Sequence, residues 1–326
     1  LRIRTEYVTL PSHAVQSAQT TLLMRLHQPS QLPFEVPADH LRALLRGFQF
    51  SASALNAYLY CPLSFYYEYL LRIPHTTSYE ALFGTALHDA LKKLFDHAAR
   101  QNGNLPPVEQ LLTYAHEALQ LQPIAAEQKS YYRQWINLQL PAYYESRVEE
   151  WTQQLQYQTI YTERYFRQIE VDGVPLTGII DKMRLIKPTP QSSPFWLISD
   201  YKTGKTNAER LAAPSETQPY GGAYWRQLMF YKLLIEQANI APYPVLQAEI
   251  DYLTPNNKGH FEQKQIEINR ENTEIFRQVL RSTYDKIMLL DFSNPCRKSG
   301  CKWCAFTQRI QPIDSFSHPE VESMDE

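Results

Sequence analysis

A chain of 326 residues, 44% hydrophobic and 20% charged, can bury roughly two domains' worth of core, which excludes a disordered polymer. Its 32 Lys and Arg against 34 Asp and Glu leave a formal net charge of −2, which excludes the simplest nucleic-acid binder, a globally basic protein. No apolar run approaches the roughly 18 residues that cross a bilayer, and no basic-then-apolar leader opens the chain, so a cytoplasmic protein with no membrane partner is expected.

The first residue is Leu1 rather than Met, and the segment is expected to continue a longer chain. Three regions follow from the composition: an N-terminal extension over residues 1–48, a folded domain over 49–306, and a polar C-terminal tail over 307–326. Leu1 to Val8 alternates like a strand, a Gln/Ser/Pro-rich stretch covers Gln28–Pro37, and a short helix is predicted around Asp39–Gly47. From Ser51, a plausible N-cap, the pattern turns helical, with a bend or restart at Pro62. Tyr79–Arg100 is the clearest amphipathic helix, followed by helices over about 107–121 and 127–155. Then the period changes to that of strands: Tyr157–Val171, Leu176–Ile186 and Phe195–Lys202, punctuated by Asp172-Gly173 and by Pro188, Pro190 and Pro194. A helix over about Tyr220–Gln237, a strand over Val245–Leu253 and a helix over Arg270–Leu290 complete an α/β order, and 291–306 reads as a cysteine-rich loop.

Two familiar motifs fail. Gly204-Lys205-Thr206 would close a phosphate loop only with glycine five places earlier, where Ser199 stands. His116-Glu117 lacks the second histidine of a zinc-protease helix, because that position is Gln120.

A different constellation carries chemistry. The apolar run Phe195–Ser199 ends in Asp200-Tyr201-Lys202, and strand alternation puts Asp200 and Lys202 on one face. Taken alone, the pair reads first as a solvated ion pair at a strand end, and second as a metal-binding carboxylate beside a lysine that contacts an anionic substrate. Asp181 lies in the preceding apolar strand, Thr177–Met183. If the two strands are neighbours, Asp181 and Asp200 converge and repel unless a cation lies between them. Hard oxygen ligands suit Mg²⁺ or Mn²⁺, which also bind phosphate oxygens, and Lys202 would then stabilise charge on a phosphodiester under attack. His88 sits on an otherwise apolar helix, where a hydrogen-bonded structural role is the ordinary reading. Gln227 and Tyr231, four apart, share a helix face.

Together, Gly84-x-x-x-His88, Gly178-x-x-Asp181, Asp200-Tyr201-Lys202 and Gln227-x-x-x-Tyr231 resemble the PD-(D/E)XK nucleases of the RecB-like branch. The stretch Phe50–Leu55 through Cys61–Tyr66 resembles the start of the nuclease domain of AddB-type helicase–nuclease subunits, and the likeness covers about residues 50–306. It implies a restriction-endonuclease-like core, a mixed central sheet flanked by helices, with additional N-terminal helices. It implies a metal-dependent DNA exonuclease acting on single-stranded ends, with a helicase partner, in double-strand-break repair and recombination. His88, Asp181, Asp200 and the main-chain carbonyl of Tyr201 would be the metal ligands, Lys202 the catalytic lysine, and Gln227 and Tyr231 its accessory pair. Glu163, on the preceding strand, is a weaker candidate outside that set.

Cys61 stands alone near the start, while Cys296, Cys301 and Cys304 form C-x4-C-x2-C near the end. Without a secretion signal a metal site is favoured over disulfides, and four thiolates suit a [4Fe–4S] cluster or tetrahedral zinc. The AddB likeness implies the iron–sulfur cluster as a structural staple. The family places the longer gap after the C-x2-C, and here it comes first, which keeps zinc open. Two basic patches, Arg297-Lys298 with Lys302 and Lys202 with Lys205 and Arg210, together with 22 tyrosines, offer surfaces for guiding and stacking single-stranded DNA.

Overall fold

A computed structural model describes residues 36–309 apart from 239 and 241. The predicted Leu1–Val8 strand and the tail beyond 309 lie outside the described residues.

Ten helices and five strands are assigned among the described residues. Helix α1 (Ala38–Leu45) buries Leu41 and Leu45 in the core. Ser51 caps α2 (Ala52–Tyr60) by accepting the Ala54 N–H at 3.2 Å. Cys61 interrupts the helix, and Pro62 occupies the first position of α3 (Pro62–Phe65), where a missing N–H costs nothing. A π-helical turn over Tyr66–Leu70 continues it. Ser78 caps α4 (Tyr79–Arg100), which buries Phe83, Leu87, Leu91 and Leu94 at helical spacing. These pack against α5 (Val108–Leu121) and α6 (Ala126–Tyr157), which runs through Pro141.

The sheet is mixed, in the order β1-β2-β3-β4-β5. Strands β1 (Thr159–Val171) and β2 (Val174–Ile186) form a hairpin whose turn, Asp172-Gly173, has φ of 50° and 76°. Two successive left-handed residues match the right-handed twist of a two-residue hairpin. Strand β3 (Phe195–Lys202) runs antiparallel to β2 and parallel to β4 (Val245–Tyr252). The short α7 (Ala208–Leu211) and the buried α8 (Ala223–Gln237) make the crossover that a parallel pair requires. The edge strand β5 (Gln263–Ile266), four mostly polar residues, is not signalled by the sequence pattern.

One hydrophobic cluster joins the sheet to α2, α3, α8 and α9 (Arg270–Met288), and a second fills the space between α4, α5, α6 and the other face. Gly178 sets the first contact: a Cβ there would stand 2.8 Å from Leu234 Cδ1, so glycine lets β2 lie directly on α8. The predicted loop 291–306 gives way to helix α10 (Lys302–Arg309), which the cysteine spacing masked.

Candidate active site and cysteine centre

Three neighbouring strands bring three carboxylates into one row. The pairing Lys182↔Ser199 carries Asp181 opposite Asp200, and the pairs Thr162↔Lys182 and Arg164↔Ile180 carry Glu163 opposite Asp181. Glu163 has φ of 46°, a left-handed backbone that a non-glycine residue adopts at a cost of order 1–3 kcal/mol. Helix α4 supplies His88 to the same row. Its Nδ1 lies 3.4 Å from Asp181 Oδ2 and 3.7 Å from Glu163 Oε1. Its Nε2 lies 3.1 Å from the carbonyl oxygen of Tyr201. The Tyr201 N–H in turn donates to Asp181 Oδ2 at 2.8 Å.

On the other side of Asp200 stands Lys202, with Nζ 2.6 Å from Asp200 Oδ2. The same Nζ donates to Gln227 Oε1 at 3.0 Å, and Gln227 Nε2 donates to the Tyr231 hydroxyl at 2.8 Å. The amide is thereby oriented with its oxygen toward the lysine. His88, Asp181, Asp200, Tyr201, Lys202, Gln227 and Tyr231 thus fall in one continuous assembly. Glu163 joins it as well; a half-buried acid on a mostly exposed strand carries no sequence signal that separates it from a solvated face.

The electrostatics follow from burial. Desolvation disfavours the His88 imidazolium, but Asp181 and Glu163 outweigh it and lift its pKa to about 10. Desolvation likewise works against Lys202, and Asp200 and Asp181 overcome it to hold the amine charged. Asp181 is also buried, yet His88, Lys202 and the Tyr201 N–H keep its pKa below the ordinary value. Asp200 goes the other way: burial raises it to about 6, and Asp181 adds to that against the pull of Lys202. Asp200 therefore gives up its proton less readily than Asp181, and added positive charge nearby would favour its ionised form. Imidazole and hard carboxylate oxygens of His88, Glu163 and Asp181 lie within 4.8 Å of one another, a donor set that fits a hard divalent cation.

In a second cluster, Sγ of Cys61 lies 3.7 Å from Sγ of Cys304, and Cys296 Sγ lies 3.8 Å from Cys304 Sγ. With Cys301, all four sulfurs fall within 4.8 Å of one another. Burial and the neighbouring sulfurs push the Cys304 thiol up, so four thiolates at this spacing call for a cation. A tetrahedron with metal–sulfur bonds of ~2.3 Å has edges of ~3.8 Å, the spacing seen for two of the pairs.

Among solved structures, a crystal structure of a candidate exonuclease from Eubacterium rectale is 13% identical, covers 84% of this chain and 93% of its own, and has a TM-score of 0.45. The protein SSO0001 is 12% identical over 73% of this chain and 82% of its own, with a TM-score of 0.25. No curated protein matches the chain. The sequence profile of the PD-(D/E)XK nuclease superfamily matches residues 49–309, a span that holds the whole strand-and-helix core just described and both candidate centres. The chain belongs to the PD-(D/E)XK nuclease superfamily.

Proposed function

We propose that this chain is a Mg²⁺- or Mn²⁺-dependent DNA exonuclease that digests single-stranded ends beside a helicase partner in double-strand-break repair and recombination. Family membership supports nuclease chemistry, and the AddB-type likeness supports the partner and pathway. The observation that carries the reading is the meeting of Glu163, Asp181, Asp200 and Lys202 from adjacent strands with His88 from α4.

In this reading His88, Glu163, Asp181 and Asp200 hold the divalent ion, with the Tyr201 carbonyl beside them. The ion supplies neutralisation of phosphate charge and acidification of water. Lys202, kept charged by Asp200, presents its ammonium to the phosphodiester under attack and stabilises the developing charge. Gln227 and Tyr231 are positioning residues: the hydroxyl holds the amide, and the amide holds Nζ. Tyr231 remains a neutral phenol, because burial and the nearby Asp200 and Asp181 raise its pKa well above 10.

The four cysteines are read as a structural metal staple joining segments 235 positions apart. The family likeness supports [4Fe–4S] as its occupant, and the sulfur spacing supports a single tetrahedral ion such as zinc. Iron and zinc analysis of the purified chain, with its visible absorption, separates the two.

The test of the nuclease reading is degradation of end-labelled DNA in Mn²⁺ by the purified chain and by Lys202→Ala. The variant is expected to lose at least a hundredfold in rate. Equal rates in the two proteins overturn the assignment.

A further inference from the structure

The two basic patches apparent in the sequence, one around Arg210 and one around Lys298, line a single groove. It has a volume of about 850 Å³ and runs between the start of α8, the α2–α3 corner and the loop before α10. Its cations are Arg210, Arg226, Lys298 and Lys302, against one carboxylate, Glu68. Glu68 is already engaged by Lys302 at 2.9 Å and by the Trp303 indole N–H. Arg226 is spent on the fold, donating to Asn56 Oδ1 at 2.7 Å and to the Gly221 carbonyl. Arg210 and Lys298 make no ion pair among the described residues, so their charge faces the groove.

Aromatic rings alternate with these cations. Lys298 Nζ sits 4.7 Å from the ring centre of Tyr60, which is 45% exposed, and Tyr220 is 41% exposed. At the other end, Arg210 donates to the Tyr224 hydroxyl at 2.9 Å and lies over its ring. Lys202 Nζ lies 5.0 Å from the centre of that same ring. Arg210, on the groove wall, is thus linked to the lysine of the carboxylate row through the ring of Tyr224, while the other end of the groove reaches Cys301.

We propose that this groove binds single-stranded DNA, its phosphates met by Arg210 and Lys298 and its bases stacked on Tyr60 and Tyr220, so that the strand passes over Tyr224 to Lys202. The inference rests on the nuclease reading for its direction toward Lys202. Cations interleaved with exposed rings suit a flexible polyanion with free base faces, whereas a duplex keeps its bases stacked on one another.

The experiment is fluorescence anisotropy of a labelled oligothymidylate of about 16 nucleotides with the full chain, without added divalent metal. Tyr60→Ala, Tyr220→Ala and Lys298→Ala are each expected to weaken binding about tenfold, while Tyr60→Phe, which keeps the ring, stays within about twofold of the parent. Lys298→Ala should also flatten the dependence of log affinity on log salt by about 0.7. Lys286→Ala, on α9 outside the groove, serves as the unchanged control. If Tyr60→Ala melts early, Tyr220→Ala and Lys298→Gln carry the comparison. Parent-like binding by all the groove variants, no binding by the parent, or equal affinity for a duplex of the same length overturns the proposal. Cleavage in Mn²⁺ is read separately. A parent that binds through these residues but never cleaves supports the groove and retires the nuclease reading. A parent that cleaves while the variants bind normally does the reverse.

Discussion

Lys202 Nζ touches Asp200 Oδ2 at 2.6 Å, while Asp200 Oδ1 is buried with no hydrogen-bond partner among the described residues. The ion pair thus occupies one carboxylate oxygen and leaves the other without a partner. Asp200→Asn keeps the shape but removes the charge that holds Lys202 and helps bind a cation. The expected outcome is a loss of at least a hundredfold in Mn²⁺-dependent cleavage, with a folded protein by circular dichroism.

Glu163→Gln tests the acid that the sequence marked only as a weaker candidate. Its Oε1 shares His88 Nδ1 with Asp181, so the amide should weaken the cation site without dismantling it. Cleavage titrated against Mn²⁺ should show the half-saturating concentration raised about tenfold to a hundredfold, with a smaller fall in the rate at saturation.

The other face of the sheet carries a buried ionic network, and Lys182 is its weak point. Its Nζ donates to Gln154 Oε1 at 2.9 Å and lies over the Phe95 ring, while burial and then Arg184 drive its pKa down to about 7 against the pull of Asp251, Glu150 and Glu249. A lysine with a depressed folded pKa binds fewer protons than in the unfolded chain between pH 7 and about 10.5, so its penalty is full below pH 7 and fades as pH rises. Lys182→Met should therefore stabilise by about 1–3 kcal/mol near pH 6, and the gain should shrink toward pH 10. Chemical denaturation at a series of pH values measures it.

If the four cysteines hold the proposed metal, Cys304→Ser should release it and lower the melting temperature sharply. The contact between Cys61 and Cys304 closes a loop of 243 positions, a constraint worth on the order of 5–6 kcal/mol in loop-closure models. Differential scanning calorimetry together with metal analysis checks both halves of the expectation.

What could be read in advance was whatever local period or spacing encodes. Asp200 and Lys202 share a face because strands alternate, and Gln227 reaches Tyr231 because helices repeat every four residues. Asp181 depended on one assumption, that β2 and β3 are neighbours, and the register Lys182↔Ser199 satisfies it. Glu163 stayed a weaker candidate outside the set because its place depends on pairing with Asp181 and on a left-handed backbone. The Lys182 network was missed for a similar reason. Its partners arrive from α6, as when Arg147 pairs with Asp251 at 3.0 Å across 104 positions, and no local pattern announces such a pairing. The edge strand β5 and helix α10 escaped because four polar residues and a cysteine-dense turn lack any periodic signature.

Tyr201 belongs to both faces at once. Its peptide is gripped by Asp181 and His88, while its ring is buried with Trp151 and Tyr143 in the helical layer beyond. A shift of that layer moves the peptide, and with it the spacing of the donors. A map of mutational tolerance scored on activity would accordingly show a second intolerant zone along the inner side of α6, away from the carboxylates themselves.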